Sequence, residues 1–113
     1  MACIFCRIVA GEAPATVIYK DDLVTVIRDL RPQAPLHVLV IPNEHIPSAA
    51  DVDESHGALL GHMLVAARRV ATQEGVAASG YRLVFNVGRG AGQSVDHLHL
   101  HVLGGRRLSW PPG

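Results

Sequence analysis

His97-Leu98-His99-Leu100-His101-Val102-Leu103 alternates imidazole and aliphatic side chains with a period of two. On a strand this period turns all three imidazoles to one face and the leucines to the core, whereas a helix would set His99 nearly opposite the other two. The pattern therefore predicts a strand over 97–103. Just upstream, Tyr81-Arg82-Leu83-Val84-Phe85-Asn86 is another strand. Between the two lies Gly88-Arg89-Gly90-Ala91-Gly92, a glycine-dense loop that can bring backbone N–H groups close to an anion. Further out, Ser55 to about Glu74 carries the long helical pattern. Leu59, Leu60, Met63, Leu64, Ala67 and Val70 recur at three- and four-residue steps, Arg68, Arg69 and Gln73 take the outside, and Gly75 is the stop. Leu36 to Ile41 reads as a strand ended by Pro42-Asn43. Thr16–Lys20 and Leu23–Asp29 form a hairpin about Asp21-Asp22, and Ile4–Val9 gives one or two turns of helix before Gly11 and Pro14. The order of elements predicts an α+β domain over 1–113: a five-stranded antiparallel sheet, one long helix and a short N-terminal helix. The tail after Gly104 is too rich in glycine and proline for either regular structure.

Composition narrows the classes of function. The chain has 113 residues, 49% hydrophobic and 18% charged, enough to bury a core. Ten basic residues balance ten acidic ones with neither sign in a run, which argues against nucleic-acid binding and a polybasic membrane anchor. No apolar stretch approaches the ~20 residues that span a bilayer. The opening Met1-Ala2-Cys3-Ile4-Phe5-Cys6-Arg7 lacks the basic start and long apolar middle of a secretory signal, so the expected location is cytoplasmic. In that compartment the two cysteines are thiols or metal ligands rather than a disulfide.

Seven histidines stand in this short chain. Neutral imidazole is both nucleophile and proton carrier near pH 7, so a row of them beside an anion-binding loop points to chemistry on an anionic substrate. Two blander readings compete: a histidine-rich wet face, and a metal site, since histidines two apart on a strand can share an ion. Cys3-x-x-Cys6 is by itself a redox pair, half a zinc site or chance. If it binds zinc, histidines must complete the set, because no second cysteine pair exists.

The run His97–Leu103 resembles the signature of the histidine triad (HIT) family. Gly92 to Arg106, with Trp110-Pro111-Pro112-Gly113 closing the chain, is similar to its Hint branch, as are Pro32-Gln33-Ala34-Pro35, Ile41-Pro42 and His45-Ile46. A related transferase branch carries Gln where His101 stands. The resemblance implies a HIT-like fold and hydrolysis of nucleoside 5'-phosphoramidates of AMP or GMP type, with no organic cofactor and no catalytic metal. It implies that His99 attacks the α-phosphorus to give a nucleotidyl-histidine. His101, Asn86, Gly92, Gln93 and Ser94 would hold the phosphate, and Ser94 would bond the departing amine. Asp29 would accept the ribose hydroxyls, although its sequence position equally fits a cap of the Leu30-Arg31-Pro32 loop. Phe5, Ile8, Ile27, Arg28 and Leu30 would line the base pocket. Ile27 and Arg28 depart from the aromatic residue and histidine of animal Hint proteins, and Asp96 departs from their aromatic residue before the triad. By resemblance to bacterial relatives, Cys3, Cys6, His45 and His97 would hold a structural zinc, a closed Cys₂His₂ set. A homodimer is implied, with Trp110 reaching the partner's site. Two rival readings are a nucleotide-binding scaffold with little turnover and a zinc hydrolase using all three triad histidines as ligands.

Overall fold

β-branched and aliphatic runs set where the sheet forms. Val17–Lys20 (β1) and Val24–Arg28 (β2) pair across the Asp21-Asp22 turn, Leu36–Pro42 (β3) lies against β2, and Tyr81–Val84 (β4) and Leu100–Gly104 (β5) complete the sheet. The computed structural model describes residues 3–113 and gives five antiparallel strands in the order β1-β2-β3-β5-β4. All seven residues of β3 are buried, because this central strand is covered on both faces.

The two faces are covered unequally. On one, the helix Gly57–Gln73 (α2) packs Met63, Ala67 and Val70 on Val24, Val26, Val38, Val40, Leu98, Leu100 and Val102. On the other, the six-residue helix Ile4–Val9 (α1) sets Phe5 and Ile8 on Ile27, Leu39 and Ile41. A helix that short leaves part of its sheet face open. No helix among the described residues is long and apolar enough to cross a membrane.

Three boundaries depart from the sequence reading by two residues or more. β4 stops at Val84, two residues short of Asn86. The long helix begins at Gly57 rather than Ser55, after a 3₁₀ turn over Glu54–His56 that Asp53 caps. The strand expected over 97–103 begins only at Leu100 and runs to Gly104. Opposite its missing start, β3 ends in Pro42, which has no N–H to continue a ladder, and the Pro42 carbonyl accepts the His97 Nε2–H at 2.9 Å. Leu98 N–H turns instead to the Ile46 carbonyl at 2.6 Å. The alternation survives the loss of the ladder, with Leu98 in the α2-side core and His97 and His99 against Phe5.

Asp21 ties the hairpin to the rest. Its Oδ1 accepts the Leu23 and Val24 N–H groups at 2.8 and 2.9 Å, and its Oδ2 accepts from the Tyr19 hydroxyl at 2.6 Å and His62 Nε2, on α2, at 2.7 Å. Burial pushes the carboxyl up, but these four donors outweigh it and hold it well below the usual carboxylate range. Hydrogen bonds to a charged group contribute about 1.5–3 kcal/mol, so Asp21→Ala should destabilise the fold by about 2–3 kcal/mol in urea unfolding at pH 7. A loss below about 0.5 kcal/mol would show that the hairpin does not depend on this carboxylate.

Candidate active site

The uncovered part of the α1-side face is a cavity of about 270 Å³. Ile4, Phe5 and Ile8 of α1, Pro14 and Ala15 of the following loop, and Ile27 and Leu39 of the sheet make one end apolar. Asp29, Ser94, His99 and His101 make the other end polar, and Leu30, 94% exposed, stands at the rim. An apolar cleft with a few convergent polar groups is the usual form of a small-molecule site. Ile4, Pro14, Ala15, Leu39 and Val95 escaped the sequence reading of the site. Strand register would have found Leu39, because it faces His101 across β3 and β5.

His99 is 7% exposed and lies edge-on to Phe5, with ring centroids 5.1 Å apart. Its Nδ1 sits 2.7 Å from the His97 carbonyl, which can only accept, so Nδ1 carries the proton and Nε2 keeps the lone pair. His101 is fixed by a residue that sequence reasoning missed. The Gln33 N–H donates to His37 Nδ1 at 3.0 Å, which places the His37 proton on Nε2. That nitrogen lies 2.9 Å from His101 Nδ1 and 3.5 Å from Asp29 Oδ2. His101 Nδ1 is therefore an acceptor, and the neutral ring carries its proton on Nε2, as a donor. Burial first, then the His99 and His37 rings, push His101 down to about 4 against the pull of Asp29. Burial lowers His37 as well. Both rings are neutral at pH 7.

Asp29 takes the capping role and also borders the cavity. One oxygen accepts the Arg31 N–H at 2.8 Å and caps the loop, while the carboxylate lines the cavity. Asp29, His37 and His101 offer ligand atoms within 4.8 Å of one another, yet they do not fit a metal. A ring whose Nδ1 accepts an amide proton has no lone pair left on Nε2 unless it becomes an imidazolate.

Arg28 and Gln93 depart from the expected arrangement. Arg28 borders the cavity from β2, but it follows Ile27 by one residue, so its guanidinium goes to the α2 side and meets Glu74 at 2.8 Å. No charged side chain is thereby added to the apolar end. Gln93, 4% exposed, turns its amide inward, to its own loop and to Pro47. It accepts from Gly88 N–H at 2.9 Å and donates to the Pro47 and Val95 carbonyls at 2.8 and 3.0 Å, which shapes the loop that delivers Ser94. Arg89 of the same loop donates to the Gln93 carbonyl and, at 2.9 Å, to both oxygens of Asp96. Asp96 thus has a charge partner. Asn86 and Gly92 are not among the residues lining the cavity. Gly92 instead supplies a left-handed turn, φ 87°, that ends the 3₁₀ segment Arg89–Ala91.

Behind the His97–His99 segment, Cys3, Cys6, His45 and His97 converge. Cys3 Sγ and Cys6 Sγ lie 3.3 and 3.6 Å from His97 Nδ1, Cys6 Sγ lies 3.2 Å from His45 Nδ1, and the two Nδ1 atoms are 3.1 Å apart. Four ligands tetrahedrally placed at zinc bond lengths of about 2.0 Å to N and 2.3 Å to S stand about 3.3–3.8 Å from one another. The cluster fits such an ion. His97 Nε2–H on the Pro42 carbonyl is the outer hydrogen bond that a metal-ligating histidine needs, leaving Nδ1 its lone pair. The triad histidines are therefore committed separately: His97 to the cluster, His99 to the His97 carbonyl, and His101 to His37. They do not form one metal site, and they are largely buried rather than a wet face.

Trp110 is 85% exposed. Its tail is held to β4 by the Arg82 guanidinium, which donates to the Leu108, Ser109 and Pro112 carbonyls at 3.1, 2.9 and 3.4 Å.

The lowered His101 sets a sign for pH dependence. The unfolded ring takes its proton near 6.5 and the folded one near 4, so between these values the unfolded chain holds more protons. This contribution is full above about pH 6.5 and is lost as pH falls toward 4. His101→Gln should flatten the fall in melting temperature between those values. An unchanged slope would remove His101 as its source.

The comparisons with known proteins agree with this geometry. Residues 10–108 match the HIT domain model. The chain is 50% identical over 105 residues to the purine nucleoside phosphoramidase of Escherichia coli, covering 93% of this chain and 88% of that one. A HIT family hydrolase from Legionella pneumophila superposes with a TM-score of 0.97 at 51% identity, over 98% of this chain and 99% of the other. A zinc-bound histidine triad family protein from Mycobacterium smegmatis gives 0.79 at 35% identity, over 100% and 81%. With the strand order, the three separately anchored histidines and a family match over most of its length, the chain belongs to the HIT domain family.

Proposed function

We propose that this chain hydrolyses purine nucleoside 5'-phosphoramidates through a nucleotidyl-His99 intermediate. The observation that carries the reading is the His99 ring. Its Nδ1–H is pinned to the His97 carbonyl, so Nε2 presents a lone pair at the polar end of an apolar cavity. Nε2 bonds to the α-phosphorus as the phosphorus–nitrogen bond breaks, and the amine leaves with a proton taken from solvent by way of the Ser94 hydroxyl, which the later hydrolysis by water returns. Water then cleaves the phosphorus–Nε2 bond, giving the nucleoside monophosphate and free His99. During attack the His99 ring becomes cationic, and the carbonyl on Nδ1–H stabilises that charge. His101 Nε2–H, neutral and fixed by His37, serves as a donor to the phosphoryl oxygens. Ser94, which lines the cavity, would bond the departing amine, and Asp29 would accept the ribose hydroxyls. The apolar end, with the Arg28 guanidinium on the other side of the sheet, selects a flat ring rather than one purine.

The relatives support the reading. The Escherichia coli protein is a purine nucleoside phosphoramidase, and the Legionella pneumophila one a hydrolase. His99→Ala should abolish turnover of a fluorogenic adenosine phosphoramidate while AMP affinity stays within about threefold, since base and phosphate contacts remain. Intact mass after brief exposure of the wild type should show one nucleotidyl adduct. Tight AMP binding with neither turnover nor adduct would make the chain a nucleotide-binding protein instead.

Cys3, Cys6, His45 and His97 would hold one structural zinc. When bound, the ion cross-links α1 to the nucleophile segment, and the Mycobacterium smegmatis neighbour is zinc-bound. The reading places the chain in the cytosol, where these thiols stay reduced. Freshly isolated protein should carry about one zinc per chain, and a chelator should lower its melting temperature. Metal-free protein of undiminished stability would refute this assignment.

The reading also includes a two-fold dimer. β4 is an edge strand, with Leu83 and nearby Val87 exposed and Leu64 exposed on α2. An open apolar edge is covered most simply by its own copy. The Arg82-held tail at that edge would bring Trp110 to the partner's leaving-group side. Deleting residues 108–113 should reorder substrates that differ only in their amine and leave His99 adduct formation intact. Unchanged ranking together with unchanged dimer stability would leave the tail without this role.

A further inference from the structure

The nucleophile stands on the least regular part of the site. His97–His99 precede the β5 ladder, and the segment is held by Leu98 N–H on the Ile46 carbonyl and by the His97 ring. That fully buried ring is gripped at both nitrogens, Nε2–H by the Pro42 carbonyl and Nδ1 by the Cys3, Cys6 and His45 ligand atoms. The carbonyl of the same residue accepts the His99 Nδ1–H at 2.7 Å. His97 therefore joins two sites, its side chain in one and its backbone oxygen in the other. With the cluster empty, two imidazole nitrogens 3.1 Å apart and two thiols have no common cation to hold them together.

We propose that Cys3, Cys6 and His45 are positioning residues for the nucleophile. By fixing the His97 ring they fix the His97 carbonyl, and through it the direction in which His99 Nε2 presents its lone pair. This rests on the reading of His99 as nucleophile and of the cluster as a metal site. It goes beyond that reading by giving the cluster a part in the reaction rate besides its part in the fold. Outer partners that orient the ligands of a metal typically contribute 10- to 100-fold to affinity or activity, and an effect of that order is expected for a ring oriented through the His97 carbonyl.

His45 is the exposed member of the cluster, so replacing it removes little packing. The test compares zinc-loaded wild type, His45→Ala and His45→Cys. The readouts are metal content, melting temperature, AMP affinity, the rate of His99 adduct formation in a single turnover, and the His99 Nδ1–H proton by NMR. His45→Ala should lose the metal, stay folded and bind AMP within about threefold, while adduct formation slows 10- to 100-fold and the Nδ1 proton exchanges faster with water. His45→Cys, which restores a four-ligand site, should recover the metal, the proton signal and most of the rate. A metal-free His45→Ala protein with wild-type rate and proton signal would overturn the proposal, as would a rate loss matched by loss of AMP affinity. If His45→Ala does not fold, wild type is titrated with chelator at a temperature where its circular dichroism stays native. The rate must then follow metal content, and a rate that ignores it overturns the proposal. Wild type that holds no metal, or forms no adduct at His99, brings down the parent reading as well, and is told apart by those two measurements alone.

Discussion

The register of β3 against β5, with Leu39 opposite His101, is the constraint on which the site depends. It sends Val38, Val40, Leu100 and Val102 into the α2-side core and leaves His37, His99 and His101 on the other face with Leu39 and Ile41. A slip of one residue would exchange the two sets, burying imidazoles among aliphatic chains and opening the core to water. The apolar half of the alternation thus enforces the position of the polar half. Stability and function are carried by alternate residues of the same strands.

Burial then decides what the imidazoles can do. His97, His99 and His37 each commit one nitrogen to a backbone group whose hydrogen-bonding sense cannot change, and His101 takes its sense from His37. A carbonyl takes the His99 Nδ1–H, and a backbone N–H occupies His37 Nδ1 and so orients His101 through the ring between. Low exposure keeps His37 and His101 neutral, so a lone pair and a hydrogen-bond donor stand side by side at one end of the cavity. In water both rings would sample tautomers, and most encounters would meet the wrong one.

The six residues of α1 serve two purposes on two sides. Phe5 and Ile8 close the apolar end of the cavity, while Cys6 and the capping Cys3 turn to His45 and His97. The six-residue α1 covers only part of that face, and the opening that Asp29, His99 and His101 share lies in the rest.

Much of this was legible in the sequence because it is written in local periods. The period of two at 97–103 placed the histidines on one face, the helical steps at 59–70 found α2, and the acidic pair at 21–22 found the hairpin. The likeness to the HIT family supplied His99, Asp29 and the cysteine partners. What the sequence did not show was set by groups far apart in it. His37 bonds His101 across 64 residues, and Pro42 bonds His97 across 55. The inward turn of Gln93, the outward turn of Arg28 and the late start of β5 follow from partners of the same kind. The sequence by itself determined the strands, the helices and the faces they present, since each follows from steric preference and burial within a few residues. Only the tertiary structure decided which nitrogen of each histidine holds a proton, because that depends on the one donor or acceptor brought opposite it when the sheet closes.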